Sequence, residues 1–202
     1  MQTVICVTGK MGAGKNAVCD ILGDDGWFCI DLDEISHLAL ERSGDLVLRE
    51  FSKETTQSLV DDCGNLSRRK LAAIVFQNPQ RLARLERILH PAIEKITLEQ
   101  MYKSGARKIA LNATVLYKTD LLSICSSVIF VDACPLIRLY RCHKRDKMPI
   151  FRILQRFFLQ KNLFSQYSKK ISDIYIVKNS YSLNALKENV KAIVGNIDVN
   201  GD

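Results

Sequence analysis

The sequence predicts an α/β fold, a parallel sheet of five strands wound with helices on both faces. Three observations predict it. Short apolar runs rich in β-branched residues recur at 3–8, 27–30, 108–112, 127–132 and 174–177, without the polar alternation of a half-exposed strand, as strands covered on both faces read. Stretches with apolar residues at helical spacing lie between them. The first run leads straight into Gly9-Lys10-Met11-Gly12-Ala13-Gly14-Lys15-Asn16, a glycine-rich turn of the form that joins a strand to a helix around a phosphate.

The opening strand, 3–8, ends at that turn, and a helix follows with Ala17, Val18, Ile21 and Leu22 on one face and Gly23 as its expected stop. A bare Gly-x4-Gly-Lys arises by chance in roughly one chain in twenty of this length, so the strand before it and the helix after it carry the assignment. In that geometry Gly9, Gly12 and Gly14 let backbone N–H groups converge on a phosphate at a helix N-terminus, with Lys10, Met11, Ala13 and Ala17 around it. Lys15 brings a compact positive charge to the outer phosphates.

The second strand, 27–30, ends in Asp31-Leu32-Asp33. Ligands of open α/β sheets sit beyond the carboxyl ends of the strands, which makes Asp33 a candidate base, while Asp31 is expected to cap a helix beginning near Glu34. From 34 to 104 the pattern is almost wholly helical, with no convincing strand. Ser67 is placed to cap a helix carrying Leu71, Ile74, Val75 and Phe76, Asn78-Pro79 to end it and open the next, and His90-Pro91 to break that one before a third helix reaches Ser104-Gly105. Such a long excursion between strands reads as an inserted helical lobe that holds an acceptor.

Strands 108–112 and 127–132 follow. A helix from Pro135 carries Arg138, Arg141 and Arg145, and after Met148-Pro149 a second carries Arg152, Arg156 and Gln160. Two arginine faces without intermixed acids suit a lid over phosphates, where guanidinium groups bridge oxygens. Phe157, Phe158 and Phe164 are expected in the core of that lid. The last strand, 174–177, precedes a helix over 183–194, and the tail from 198 is expected to fray. The expected organisation is one domain of three layers, a kinase-like P-loop fold. Its core spans about 1–33, 105–137 and 171–197, the helical lobe about 34–104 and the lid about 138–170.

Composition narrows the function. The formal charge of +7 is local: residues 138–170 hold ten Lys or Arg against one acid, leaving the rest of the chain slightly acidic. A confined basic surface suits a polyphosphate as well as a nucleic acid, and its placement on a lid is what favours the polyphosphate. Seven cysteines, an odd number with no Cys-x-x-Cys, and three scattered histidines suggest buried free thiols and no zinc spacing. The chain opens on a strand with no basic-then-apolar leader, and no apolar run approaches the ~20 residues of a membrane span. The expectation is a soluble, cytoplasmic monomer with neither membrane nor nucleic acid as partner.

The ordered motifs resemble the dephospho-coenzyme A kinase family over nearly the whole chain. They are Val7-Thr8-Gly9-Lys10-Met11-Gly12-Ala13-Gly14-Lys15, Ile30-Asp31-Leu32-Asp33, Gly64-Asn65-Leu66-Ser67-Arg68 with Val75-Phe76, and Leu89-His90-Pro91. Val131-Asp132-Ala133, Arg141 with Arg145-Asp146, Arg156 with Gln160, and Ser172-Asp173 with Asn179 complete the set. The resemblance implies ATP and Mg2+ as cofactors and transfer of phosphate to the ribose 3′-hydroxyl of dephospho-coenzyme A. It implies Asp33 as the base on that hydroxyl, Lys15 and Arg141 stabilising the transferring phosphoryl, Arg145 on ATP phosphates, Asn179 near the adenine, and His37, Arg68 and His90 at the acceptor. Four positions depart from the family pattern. Asn16 replaces the hydroxyl residue that holds magnesium and would offer its amide oxygen instead. His37 replaces an arginine, Asn112 stands where relatives often carry Asp, and Thr114-Val115-Leu116-Tyr117-Lys118 replaces a stretch ending in Glu. Another nucleoside or nucleotide kinase of this fold, or a nucleotide-binding regulator with weakened catalysis, shares most of these features.

Overall fold

The computed structural model describes residues 2–54 and 58–200. The chain forms two compact units, one of Met1–Asp31 with Met101–Asp202 and one of Leu32–Gln100.

The first unit is built on a five-stranded sheet, all pairings parallel, in the order β2-β3-β1-β4-β5. The strands are β1 (Thr3–Gly9), β2 (Phe28–Asp31), β3 (Lys108–Asn112), β4 (Ser127–Asp132) and β5 (Ile174–Lys178). Side chains alternate between faces. Ile5, Val7, Ala110, Ile129, Val131 and Val177 face one side, where they pack with Val18, Ile21 and Leu22 of α1 (Lys15–Asp24) and with Leu186, Val190 and Val194. Those last three belong to the C-terminal helix, Leu183–Asn200. That helix continues past the expected end at 194 and through 198–200, where fraying was expected, and residues 201–202 lie outside the described chain. Helix α1 runs one residue beyond Gly23, and the glycine that adopts the left-handed conformation is Gly26, φ +84°. A glycine lowers helix propensity without forbidding the turn, so the chain reverses where a positive φ is needed.

Residues 34–104, almost wholly helical by their pattern, contain α2 (Leu32–Arg42), α3 (Gly44–Phe51), α4 (Arg68–Val75) and α5 (Pro79–Ser104), plus an antiparallel bridge between Val60 and Leu66. The second unit has its own core of Val47, Phe51, Leu59, Leu71, Val75 and Leu85. Ser67 caps α4, its hydroxyl accepting from Lys70 N. The Asn78 side chain accepts from Gln80 N at 2.8 Å and opens α5 ahead of Pro79. The expected break at His90-Pro91 is absent, and α5 runs through Pro91. Proline removes one backbone donor, but Ile88 and Leu89 before it pack on the core and Ile93 and Ile96 after it are buried, so packing on both sides carries the helix across the gap. Helix α2 begins at Leu32, two residues ahead of the expected start, which puts Asp33 in its first turn, where the helix dipole favours a carboxylate.

The segment expected as a two-helix lid contains three helices: α6 (Pro135–Asp146), α7 (Ile150–Leu159) and α8 (Leu163–Ser168). The C-terminal helix is therefore α9. Only part of the expected aromatic core forms. Phe157 lies under Arg138, Phe164 meets Phe130 of β4 edge-on at 5.1 Å, and Phe158 is 67% exposed. Phe164 has left the lid because Phe130 points to the sheet face opposite α1 and α9, and an aromatic edge contact completes that face. Tyr167 of α8 is fully buried, accepts from Leu116 N at 2.9 Å and donates to Thr114 O at 3.1 Å. Burial pushes its phenol pKa up. Cys6, Cys19, Cys125 and Cys142 are buried free thiols as expected, whereas Cys63 and Cys134 are exposed, since each lies at a turn or helix entry.

Candidate active site

The glycine-rich loop leaves β1 at its carboxyl end, the middle strand of the sheet, where the chain switches from β2 and β3 on one side to β4 and β5 on the other. Clefts at such switch points bind ligands. Within the loop Ala13 N donates to Lys10 O at 3.0 Å, and Gly12 (φ +77°) and Gly14 (φ +97°) are left-handed. Helix α1 then begins at Lys15 with no side-chain cap. Its leading N–H groups are orphan donors, which together with the helix dipole favour an anion.

Three residues from outside the loop hold it in shape. Gln160 takes the Met11 N–H on its side-chain oxygen at 2.7 Å. Arg138 Nε donates to Met11 O at 2.9 Å. Asn179 Nδ2 donates to Ala13 O at 2.9 Å, and Asn179 Oδ1 accepts from Arg141 Nη2 at 3.4 Å. The three bonds to the loop backbone could not be anticipated, because each links residues more than a hundred positions apart. Asn179, read from the family resemblance as an adenine contact, is 7% exposed and braces the loop.

Arg138 also departs from expectation. Its spacing places it on the arginine face of a lid over phosphates, yet it is 4% exposed and its guanidinium lies 4.0 Å from the centre of the Phe157 ring. Burial lowers its pKa from the usual arginine range. The reason is helical phase: the residue four before Cys142, itself buried, faces the loop together with it. Replacing Arg138 with Met keeps the bulk but loses a charged hydrogen bond and a cation–π contact. The expected cost is about 2 kcal/mol, a fall in melting temperature of about 4–8 °C. Arg152→Met, at an exposed position on α7, serves as the control in the same thermal melts, and equal melting of the two variants would refute the brace.

Around the loop lies a cavity of about 670 Å³ lined by Gly12, Gly14, Lys15, Asn16, Tyr140, Arg141, Cys142, Lys144 and Arg145. Its volume suits a small-molecule ligand, and four of its nine lining residues are cationic. The structure thus brings together Lys15, Arg141 and Arg145, as their spacing suggested. Arg141 Nη1 reaches Ala13 O at 3.4 Å. Arg145 forms a two-pronged pair with Asp146, Nε to Oδ1 at 2.7 Å and Nη2 to Oδ2 at 3.1 Å. The bond to Arg145 holds the Asp146 carboxyl below the usual carboxylate range, and the bond to Asp146 raises Arg145. The Arg145 side chain is 66% exposed, so the pair is weak enough to yield to a phosphate.

Behind the loop, Asn112 at the end of β3 donates through Nδ2 to Asn16 Oδ1 at 3.2 Å and to Asp31 Oδ2 at 3.3 Å. Asp31, expected as a helix cap, immediately precedes α2 and also accepts from the sheet through Asn112. Among the described residues there is no cluster of three or more His, Cys, Asp or Glu able to hold a metal.

In the second unit a cavity of about 640 Å³ is lined by Arg68 together with Glu41, Arg42, Asp45, Asp61 and Asn65. Arg68 pairs with Glu41 there. The other two expected acceptor residues, His37 on α2 and His90 on α5, are not among its lining residues. Asp33 is exposed in the first turn of α2. Among the described residues no helix is long and apolar enough to cross a membrane.

A family model described as dephospho-CoA kinase matches residues 3–184. A dephospho-CoA kinase of Treponema pallidum (strain Nichols) is 32% identical over 98% of this chain and 97% of its own length. That of Treponema denticola is 32% identical over 91% and 85%. The crystal structure of TT1252 from Thermus thermophilus superposes with a TM-score of 0.82 at 26% identity, covering 96% of this chain and 97% of that one. Dephospho-CoA kinase from Campylobacter jejuni gives 0.71 at 23% identity over the full length of both, and shikimate kinase from Bacteroides thetaiotaomicron gives 0.52 at 13% over 97% and 98%. These last two likenesses speak for the fold. Matched by that family model over residues 3–184 and by a relative 32% identical along nearly its whole length, the chain belongs to the dephospho-CoA kinase family.

Proposed function

We propose that this protein transfers the γ-phosphoryl group of ATP to the ribose 3′-hydroxyl of dephospho-coenzyme A, giving coenzyme A and ADP, the last step of coenzyme A synthesis. The observation that carries it is the single cavity in which the glycine loop, Lys15, Arg141 and Arg145 converge. Phosphoryl transfer asks a protein mainly to align the partners and stabilise charge, and this cavity supplies both. The turn from Gly9 to Asn16, with Ala17 behind it, cradles the phosphates through backbone N–H groups. Lys15 and Arg141 offset charge on the transferring group, Arg145 exchanges Asp146 for a phosphate oxygen, and Asn179 keeps the loop in shape while lying near the base.

On the acceptor side Asp33 orients the hydroxyl and takes its proton. Arg68 holds an anionic group of the acceptor in the second-unit cavity, with His37 and His90 as further contacts. Magnesium accompanies the ATP. Asn16 is the candidate ligand for it, and its Oδ1 accepts one hydrogen bond from Asn112. The protein works as a cytoplasmic monomer on small molecules.

The test is ADP release from ATP and magnesium with dephospho-coenzyme A, adenosine or a nucleoside monophosphate as acceptor. Turnover with dephospho-coenzyme A should exceed that with the others by about a hundredfold or more, because an acceptor missing most of its anchoring groups loses transition-state binding. Equal turnover with a nucleoside monophosphate would move the protein to the nucleotide kinases of this fold. No turnover with any acceptor would sink the kinase reading.

A further inference from the structure

We propose that Asn112 is a positioning residue that turns Asn16 so that its amide nitrogen, not its oxygen, meets the nucleotide phosphates, and that position 16 therefore gives no direct ligand to the metal that accompanies ATP. The proposal rests on the nucleotide reading of the loop cavity given above.

The orientation of the three side chains follows from donor and acceptor chemistry. A carboxylate only accepts hydrogen bonds, so the edge of Asn112 that faces Asp31 Oδ2 at 3.3 Å is its NH2. The same nitrogen has a second hydrogen, and that one points at Asn16 at 3.2 Å. Asn16 must answer with its carbonyl oxygen, since two amide NH2 groups repel each other. In a planar amide the nitrogen then lies on the other branch, away from Asn112. Asn16 is the second residue of α1 and lines the cavity with Gly14, Lys15 and Arg141. A donor at that point extends the row of N–H groups that greets an anion.

Asn112 is rigid enough to dictate this. It is 6% exposed and sits in the ladder opposite Val7 of β1 and Asp31 of β2. Its own Oδ1 is buried and has no hydrogen-bond partner among the described residues. Turning the amide over would not relieve this, because it would press that oxygen against the Asp31 carboxylate and the Asn16 carbonyl. The two acceptors thus fix the amide with its NH2 between them. Magnesium demands close to six oxygens at about 2.0–2.1 Å, and the hydrogens of that NH2 carry positive charge into the space a cation between Asn16 and Asp31 would need.

Calorimetric titration of ADP, with magnesium and again with EDTA, tests this without reference to turnover. For the unaltered protein the two affinities should differ by less than about fivefold. Asn16→Ala should weaken ADP about tenfold, as for a lost hydrogen bond to a charged group, and equally in both buffers. Asn112→Asp replaces the NH2 by oxygen, so a cation between it and Asp31 offsets the paired negative charge, and magnesium should then tighten ADP by more than about tenfold. Asn16→Ser, which frees a hydroxyl at the helix start, should move the same way and covers the case in which the paired carboxylates fail to fold. A gain of fivefold or more from magnesium in the unaltered protein, lost in Asn16→Ala, would overturn the proposal while leaving the nucleotide reading in place. Failure of ADP to bind in either buffer would overturn both.

Discussion

Asp33→Asn is expected to lower turnover by about 10²–10⁴-fold, the range a positioned general base supplies, while nucleotide affinity stays within about twofold. The substitution removes the proton acceptor and keeps the size of the side chain. It acts on an interaction made with the attacking hydroxyl as the phosphoryl moves, so kcat and kcat/KM should fall together. Asp33 is exposed, and its place in the first turn of α2 gives it a second role, since a carboxylate there stabilises the helix by about 0.3–1 kcal/mol. The two roles separate cleanly. A helix role alone predicts a small fall in melting temperature with turnover unchanged, whereas the base role predicts the reverse. Steady-state ADP release and ADP calorimetry on the same preparation decide between them.

Gly14→Ala is expected to weaken nucleotide binding about a hundredfold or more. Gly14 has φ +97°, and a methyl group there would lie 2.1 Å from Asn179 Nδ2. Backbone strain at a positive φ costs about 1–2 kcal/mol for a residue with a side chain. Displacing Asn179 also breaks its bonds to Ala13 O and Arg141, at about 1 kcal/mol each. Some 3 kcal/mol corresponds to more than a hundredfold in affinity. Gly23→Ala is the control. Gly23 lies inside α1 with nothing within 4 Å of an added methyl, and alanine there should raise stability by about 0.5–1 kcal/mol without touching binding. Thermal melts and ADP titration of both variants check the contrast, and tight ADP binding by Gly14→Ala would show that Asn179 can move aside.

How far the site is legible depends on how local each interaction is. The glycine loop, Lys15 and the strand and helix around it are local, which is why spacing alone identifies them. The Arg141 and Arg145 positions follow from helical periodicity within a single element. Arg138 shares that periodicity and the same residue type, yet it packs inward against Phe157 and Met11 O. Period alone does not say which edge of a helix meets a neighbour. Pro91 teaches the same lesson in backbone terms. Its local preference is to end a helix, and burial of Ile93 and Ile96 on the next turns outweighs one missing hydrogen bond.

By itself the sequence determined the α/β class, the five strands, the phosphate-binding turn and the family, because each of these is written in short-range pattern or in the order of motifs along the chain. Only the tertiary structure decided that Gln160, Arg138 and Asn179 clamp the loop, that Arg145 rests on Asp146, and that Asn112 spans Asn16 and Asp31. Apart from the neighbouring Arg145 and Asp146, these contacts join residues tens to more than a hundred positions apart, brought together by sheet order and helix packing. Hydrogen-bond partners of that kind depend on positions set to within a few tenths of an ångström, a precision that side-chain type and spacing do not carry. Asn16 shows the difference: its identity alone allows either an oxygen for a metal or a nitrogen for a phosphate, and the buried amide of Asn112 beside it selects the nitrogen.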